Sequence, residues 1–411
     1  MHDVVAPKRH HPDFLLVLRA FAGLVVIAGH VFVIVPHDRL ETLLTIGPLD
    51  LSFVFTASPQ TGVFVFFVLS GYLMGKGFAT RRYSLDGNGA AAFYLARLLR
   101  IYPLLLCYIV VFLTIGSLAA PTWQQTYGII DQILFLQWHR ATVVAPFPWF
   151  GHLWSIVTEC RFYLLVPFFA CAIDRWVHSR TFAVRFLAAV VVVGALARCA
   201  AWHSIGFGTL PWVNVLDGWQ DFVSEPLYVN LDFFLAGMLL NAIPQTSRDP
   251  LGARRIVGFV GSIAALYLVT ALWGHFAVYQ MPSPLLTDTW AYVLPSVVLV
   301  WTAVLIRWAE RLNASTLHAG RRMPFETAVR FAAFLGTLTY GIYLWHIPFV
   351  FYAHPLPFVR VADPLGNYLL STAQTTLLAV LFAYVTYRGI ELPAERLKRR
   401  LVRVPPASVT A

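Results

Sequence analysis

The chain has 411 residues, of which 58% are hydrophobic, 15% aromatic and only 12% charged, and its mean hydropathy is +0.68. That balance excludes a water-soluble globule and points to an all-α polytopic membrane protein. The net charge of +10 is no argument for nucleic acid, because the basic residues are sorted between the ends of apolar spans rather than gathered on one soluble face.

Runs of about 20 apolar residues, the length that crosses a bilayer, fall at roughly 14–35, 60–79, 101–120, 153–173, 182–200, 227–243, 256–274, 289–306, 331–352 and 369–387. About ten transmembrane helices are expected. With the N-terminus inside, the opposite loops hold only Arg39, Arg140 and Arg360, and Arg19, Arg161 and Arg198 fall within spans. Every other Lys and Arg then lies on the cytoplasmic side, which the positive-inside rule reads as both termini cytoplasmic. The first span follows "MHDVVAPKRHHPD", is too long for a signal-peptide core and has no small-residue cleavage site after it, so it is expected to remain as a helix. The organisation expected is a cytoplasmic segment 1–13, one membrane domain 14–390 and a basic cytoplasmic tail 391–411, without internal repeats.

In the first span, "RAFAGLVVIAGH" sets Arg19 and His30 eleven positions apart. Eleven helical steps come to roughly 1100°, within about 20° of three turns, so both side chains leave one face about 16 Å apart along the axis. Ionisable groups inside spans are functional candidates. Arg19 is close enough to the cytoplasmic end to snorkel; His30 lies deeper, where a helix-to-helix hydrogen bond is the alternative to chemistry. Ahead of the third span, "FYLARLLRIYP" places Arg97 and Arg100 on one face of a short helix expected to stop at Tyr102-Pro103. Two guanidiniums so placed suit phosphate or pyrophosphate, or they anchor the helix at the membrane surface.

The fourth span opens with "GHLWSIVTECRFYLLVP", putting His152, Ser155 and Glu159 at i, i+3 and i+7 on one face. Glu159 reaches a depth similar to that of His30, and a carboxylate there would fix the imidazole tautomer of a general base. The alternative is a structural pair with Arg161 or Arg19. Cys107, Cys160, Cys171 and Cys199 lie in apolar runs with no metal-ligand or redox spacing, and no metal is expected. Trp202, Trp212 and Trp219 read as interface anchors or sugar-stacking residues, and Asp232 is an intramembrane acid without an evident role. In the ninth span, "TYGIYLWHIP" brings Tyr340, Tyr343 and His346 near the outer end, where an aromatic belt is the plain reading.

Taken together, Arg-x10-His (Arg19, His30), "FFVLSGYLM" (66–74), Arg-x-x-Arg with Tyr-Pro (Arg97, Arg100, Tyr102, Pro103), "HLWSxxxE" with "FYLL" (His152 to Leu165) and "YGIYLWHIP" (340–348) resemble the acyltransferase-3 family of integral membrane O-acyltransferases. The five motifs are collinear over nearly the whole chain. The resemblance implies transfer of an acyl group, usually acetyl, from cytoplasmic acyl-CoA (acetyl-CoA) to a hydroxyl of a glycan or lipid-linked saccharide acceptor, in a multi-pass protein of a bacterial cytoplasmic membrane surrounded by membrane lipids. On that basis His30 and Glu159 are the expected catalytic residues, Arg19, Arg97 and Arg100 the donor-binding ones, and His152, Ser155, Tyr343 and His346 the substrate-binding ones. The chain departs from the family's commoner pattern at Cys160 and Arg161, directly after Glu159. A proton-coupled transporter of a small solute is the rival class, but the repeated or broken spans common in transporters are missing from the hydropathy pattern.

Overall fold

The computed structural model describes residues 13–34, 43–47, 49–55, 58–117, 148–204, 224–244, 252–280, 284–318, 324–352 and 363–402. Trp212, Trp219, Arg39, Arg140, Arg360, most of the N-terminal segment and the last part of the basic tail lie outside these residues.

Every apolar run named above becomes helix: α1 (Phe14–Ile34), α2 (Pro59–Ala79), α3 (Gly87–Ser117), α4 (Trp154–Trp176), α5 (Arg180–Ser204), α6 (Leu227–Leu239), α7 (Ala253–Gly274), α8 (Pro284–Tyr292), α9 (Leu294–His318), α10 (Glu326–Tyr352) and α11 (Pro364–Thr386). A last amphipathic helix, α12 (Leu392–Leu401), continues from α11 through a π turn at Tyr387–Glu391. Among the described residues the sheet content is one antiparallel pair, Thr45–Ile46 with Leu49–Asp50. The molecule is an all-α polytopic membrane protein.

Among the described residues eight helices are each long and apolar enough to span, and α8 with α9, bent by 42°, makes a ninth if the pair is one span. The sixth expected span is the exception. α6 with its short 3-10 extension covers only Leu227–Ala242, roughly 25 Å of rise against a hydrocarbon core of about 30 Å.

The ends of these helices are written in the sequence. Ser58 caps α2 by accepting from the Gln60 amide, with Pro59 at the first helical position, and Asp363 with Pro364 does the same for α11, accepting from Gly366 N at 2.7 Å. Side-chain oxygens at such caps satisfy amides that would otherwise lack partners. Asp13 caps α1 through Leu15 N at 2.9 Å and is itself tied to α9, since Asn313 Nδ2 donates to its carboxylate at 2.7 Å and Asn313 Oδ1 accepts from Phe14 N at 2.9 Å. The start of α1, and therefore the depth of Arg19, is pinned by another helix.

Where helices must approach closely, glycine makes it possible. A Cβ on Gly71 would lie 2.0 Å from Phe234 O and one on Gly237 2.2 Å from Val68 O, so α2 and α6 pack backbone to backbone. α1 is held in the same way against α10, where a Cβ on Gly336 would meet Leu16 O at 2.0 Å. Close small-residue seams of this kind drive helix association in lipid. Aromatic rings fill the rest of the α2–α4–α6 junction, with Phe162 and Phe234 stacked at 4.2 Å and Phe64 on Phe233 at 4.5 Å.

The α3 region differs from expectation. The helix runs unbroken from Gly87 to Ser117 with Pro103 inside it, so Arg97 and Arg100 sit within a long helix rather than on a separate short one. A proline costs an amide donor and crowds the preceding turn, which neighbouring helices can offset in a membrane protein. Here Tyr340 Oη of α10 donates to Ile101 O at 2.7 Å, two residues before the proline.

Candidate active site

Six of the nine predicted site residues line one cavity of about 140 Å³: Arg19 from α1, Arg97 and Arg100 from α3, Ser155 and Glu159 from α4, and Tyr343 from α10. They are brought together from four helices. Three guanidiniums thus face a small space whose wall carries one carboxylate.

The three arginines are not equivalent. Arg100 is engaged, forming an ion pair with Glu391 and lying over the Tyr340 ring at 5.4 Å. Arg97 rests on two aromatic faces, 5.8 Å from Phe93 and 5.9 Å from Tyr163, contacts that position a cation without neutralising it. Neither Arg97 nor Arg19 pairs with a carboxylate within salt-bridge distance among the described residues, and the Nε of each is buried without a hydrogen-bond partner. It is the missing carboxylate that sets these two apart: a guanidinium facing a cavity without a counter-charge can receive an anion, and its forked shape matches phosphoryl oxygens.

Glu159 accepts from Ser70 Oγ of α2 and from Tyr163 Oη, the latter at 2.6 Å. The expected bond between Glu159 and His30 is not made, nor is an ion pair with Arg161 or Arg19. Ser70 and Tyr163, both inside the quoted motifs, were missed as site residues. The i,i+4 offset of Glu159 and Tyr163 was the available signal. Glu391 was missed for another reason: it stands at the start of the expected basic tail, yet it is 5% exposed and packed inside the bundle.

His30, His152 and His346 form a second group beside the cavity rather than on its wall. His346 lies 4.9 Å from His30 and 5.3 Å from His152 between ring centroids, and Tyr343 connects the group to the cavity, 5.5 Å from His346. His152 precedes α4 in a 3-10 turn, Pro148–Leu153, so it does not share a helical face with Ser155 and Glu159. Tyr343 and His346 are buried within the bundle and do not belong to an interfacial aromatic belt.

The hydrogen bonds in this group fix where the protons are. His346 Nδ1 lies 2.6 Å from the carbonyl of Tyr343, and His30 Nδ1 lies 2.9 Å from the carbonyl of Val26. A carbonyl only accepts, so both Nδ1 atoms carry hydrogen. His346 Nε2 is then a lone pair, and it faces His30 Nδ1 at 3.0 Å. His30 Nδ1–H is shared between Val26 O and His346, and the basic nitrogen of His30 is Nε2. The residue that orients His30 is His346. Beside it, Tyr343 Oη donates to His152 O at 2.7 Å and so accepts from Ser155 Oγ at 2.6 Å.

Two further intramembrane charges form a structural ion pair. Arg198 of α5 meets both carboxylate oxygens of Asp232 of α6, at 2.9 and 2.8 Å, and also donates to Val229 O and Ser296 Oγ. Both side chains are almost fully buried. This gives Asp232 its role as a clamp between α5 and α6. Among the described residues no cluster of His, Cys, Asp or Glu is arranged to hold a metal ion.

The five collinear motifs have a counterpart in known proteins. The acyltransferase-3 family model, described as an acyltransferase domain, matches residues 13–388, and the chain belongs to that family. Among its relatives, the peptidoglycan O-acetyltransferase OatA of Listeria monocytogenes is 24% identical over 383 residues, and the O-acetyltransferase OatA of Staphylococcus aureus is 24% identical over 375. Each alignment covers 87% of this chain, but only 55% and 57% of the relatives, so the chain spans little more than half their length. No solved structure matches it.

Proposed function

We propose that the protein is a membrane O-acetyltransferase that takes an acetyl group from acyl-CoA and delivers it to a hydroxyl of a glycan or lipid-linked saccharide. The observation that carries this reading is the pairing of a cavity holding open guanidiniums with a histidine whose basic nitrogen is fixed beside it. Family membership and the names of the relatives support the reaction type.

On this reading Arg19 and Arg97 receive the donor's phosphates, and Arg100, held by Glu391, keeps α3 in place. The acceptor hydroxyl gives its proton to His30 Nε2 as its oxygen attacks the thioester carbonyl. The C–S bond breaks, the acetyl group passes to the hydroxyl oxygen, and the CoA sulfur leaves to be protonated. The charge gained by His30 is met through Nδ1–H by Val26 O and His346, the same support that orients a general base elsewhere. The lone pair on Nε2 would equally let His30 carry the acetyl group for part of the cycle. Donor entry from the cytoplasm requires both termini, and the membrane domain's arginine-rich ends, to face that side of a bacterial cytoplasmic membrane.

The test is turnover by the purified protein in detergent or liposomes. Acetyl-CoA labelled in the acetyl group should release free thiol and transfer label to a saccharide acceptor, with neither occurring in a His30→Gln variant. Thiol release at the same rate by wild type and variant would overturn the assignment.

A further inference from the structure

A second cavity, remote in sequence from the active-site motifs, lies between α5, α7, α9 and the end of α6. Its free volume is about 610 Å³. On α9 the lining residues fall at 299, 300, 303, 304, 307, 308, 311, 312 and 315, which is one continuous helical face. That face changes character along its length. Val300, Ala303 and Val304 form an apolar stretch, continued across the cavity by Leu187 and Val191 of α5; Arg307, Arg311 and Ser315 follow, joined by Arg180 and Arg255. From Val300 to Arg311 the rise is about 16 Å.

The basic end is built rather than incidental. Arg307 donates from Nη2 to Pro244 O at 2.9 Å and from Nη1 to Leu240 O at 3.4 Å, so its guanidinium is held in place by carbonyls that leave its charge intact. Among the described residues no Asp or Glu lines the cavity. Glu310, the acid on the same helix, is turned to Lys76 of α2 at 2.9 Å. Arg180, Arg307 and Arg311 make no ion pair among the described residues. The apolar end opens sideways, since Val300 and Val304 are about half exposed in the protein alone and would meet lipid.

We infer that this crevice is a binding site for an anionic phospholipid, with the phosphate headgroup among Arg180, Arg307 and Arg311 and an acyl chain along Leu187, Val191, Val300 and Val304. A free anion would have no use for the apolar half, and a zwitterionic lipid would bring a second cation to a pocket of guanidiniums. Basic pockets between transmembrane helices are suited to such headgroups. The site is on the side that the arginine asymmetry assigns to the cytoplasm, and it is independent of the acyl-transfer reading.

Native mass spectrometry of the full chain in detergent tests it, with phosphatidylglycerol, phosphatidylcholine of the same chains, and inorganic phosphate as probes. Phosphatidylglycerol should bind at least about tenfold better than phosphatidylcholine, and the Arg307→Gln/Arg311→Gln variant should lose most of that preference. Val304→Trp, which fills the apolar half and leaves every arginine, should weaken phosphatidylglycerol binding as well. Retained acetyl-CoA binding, or an unchanged melting temperature, identifies folded variants. Equal binding of the two lipids, or an undiminished preference in the double variant, would overturn the proposal. So would competition by inorganic phosphate at the concentrations where the lipid binds, because the site would then be for a free anion.

Discussion

Arginine occurs inside the bundle in two settings. Arg198 is paired through both Nη atoms, to Asp232 twice, to a backbone carbonyl and to a hydroxyl, and only its Nε is left without a hydrogen-bond partner; its guanidinium lies 5.2 Å from the Phe233 ring. Arg97 stands over two aromatic rings, has no carboxylate within salt-bridge distance among the described residues and faces a cavity. The first arrangement completes its own electrostatics within the fold and the second leaves them for a visitor. Charge inside a membrane span is therefore a pointer to function only when its surroundings are incomplete.

The comparison is sharpened most by a variant outside both arginine settings. His30→Gln should insert, fold and bind acetyl-CoA normally while turnover falls by about 10²- to 10⁴-fold, the usual contribution of a general base. Turnover assays and thermal melts on the same preparation check it. Breaking the clamp should do the reverse. Arg198→Met alone leaves Asp232 buried and uncompensated, which should cost about 3–5 kcal/mol in stability, whereas Arg198→Met with Asp232→Leu should recover most of that loss. Thermal or denaturant unfolding in detergent is the measurement, and a double variant no more stable than the single one would show that the pair does more than hold α5 to α6.

For the open arginine, Arg97→Ala should weaken acetyl-CoA binding by about 1.5–3 kcal/mol, the scale of a charge-assisted hydrogen bond, with little change in melting temperature. Lysine should rescue only part of it, because the fork is lost. Arg100→Ala is expected to behave as a mixture, since it also strands Glu391. Smaller again is His346→Ala. With Val26 O still holding Nδ1–H, turnover should drop by roughly tenfold and the pH profile should shift, while donor affinity stays the same. Glu159→Gln, which keeps an oxygen for Ser70 and Tyr163, should show the mildest loss of the series in acetyl transfer.

The helices were legible because lipid imposes a single rule, about 20 apolar residues per crossing, and each of the ten runs obeys it closely enough to mark a helix. The one that falls short, α6, is flanked by Pro226 and ends in a 3-10 turn, so its apolar composition overstated its length. The members of the cavity were also readable, as each lies in a motif or on a helical face with another. Their partners were not. Spacing along one helix says which side chains share a face, but nothing about the helix opposite. The His346–His30 contact joins positions 316 residues apart and Arg100–Glu391 joins positions 291 apart. Glu159 looked like the companion of His30 because both were placed at one depth, and depth does not fix the angle around the bundle at which two helices meet.

One consequence follows from the way the histidine pair ends. His30 hands hydrogen to His346 through Nδ1, but His346 in turn points its own Nδ1–H at the Tyr343 carbonyl, an oxygen that cannot pass a proton on. The imidazoles form a cul-de-sac. A proton taken up at Nε2 of His30 must depart from the same atom, so this pair of rings offers no conducting path from one face of the membrane to the other. On the proposed reading, a base that takes and returns its proton at one atom is suited to acyl transfer, where the proton removed from the acceptor hydroxyl goes back to the departing sulfur.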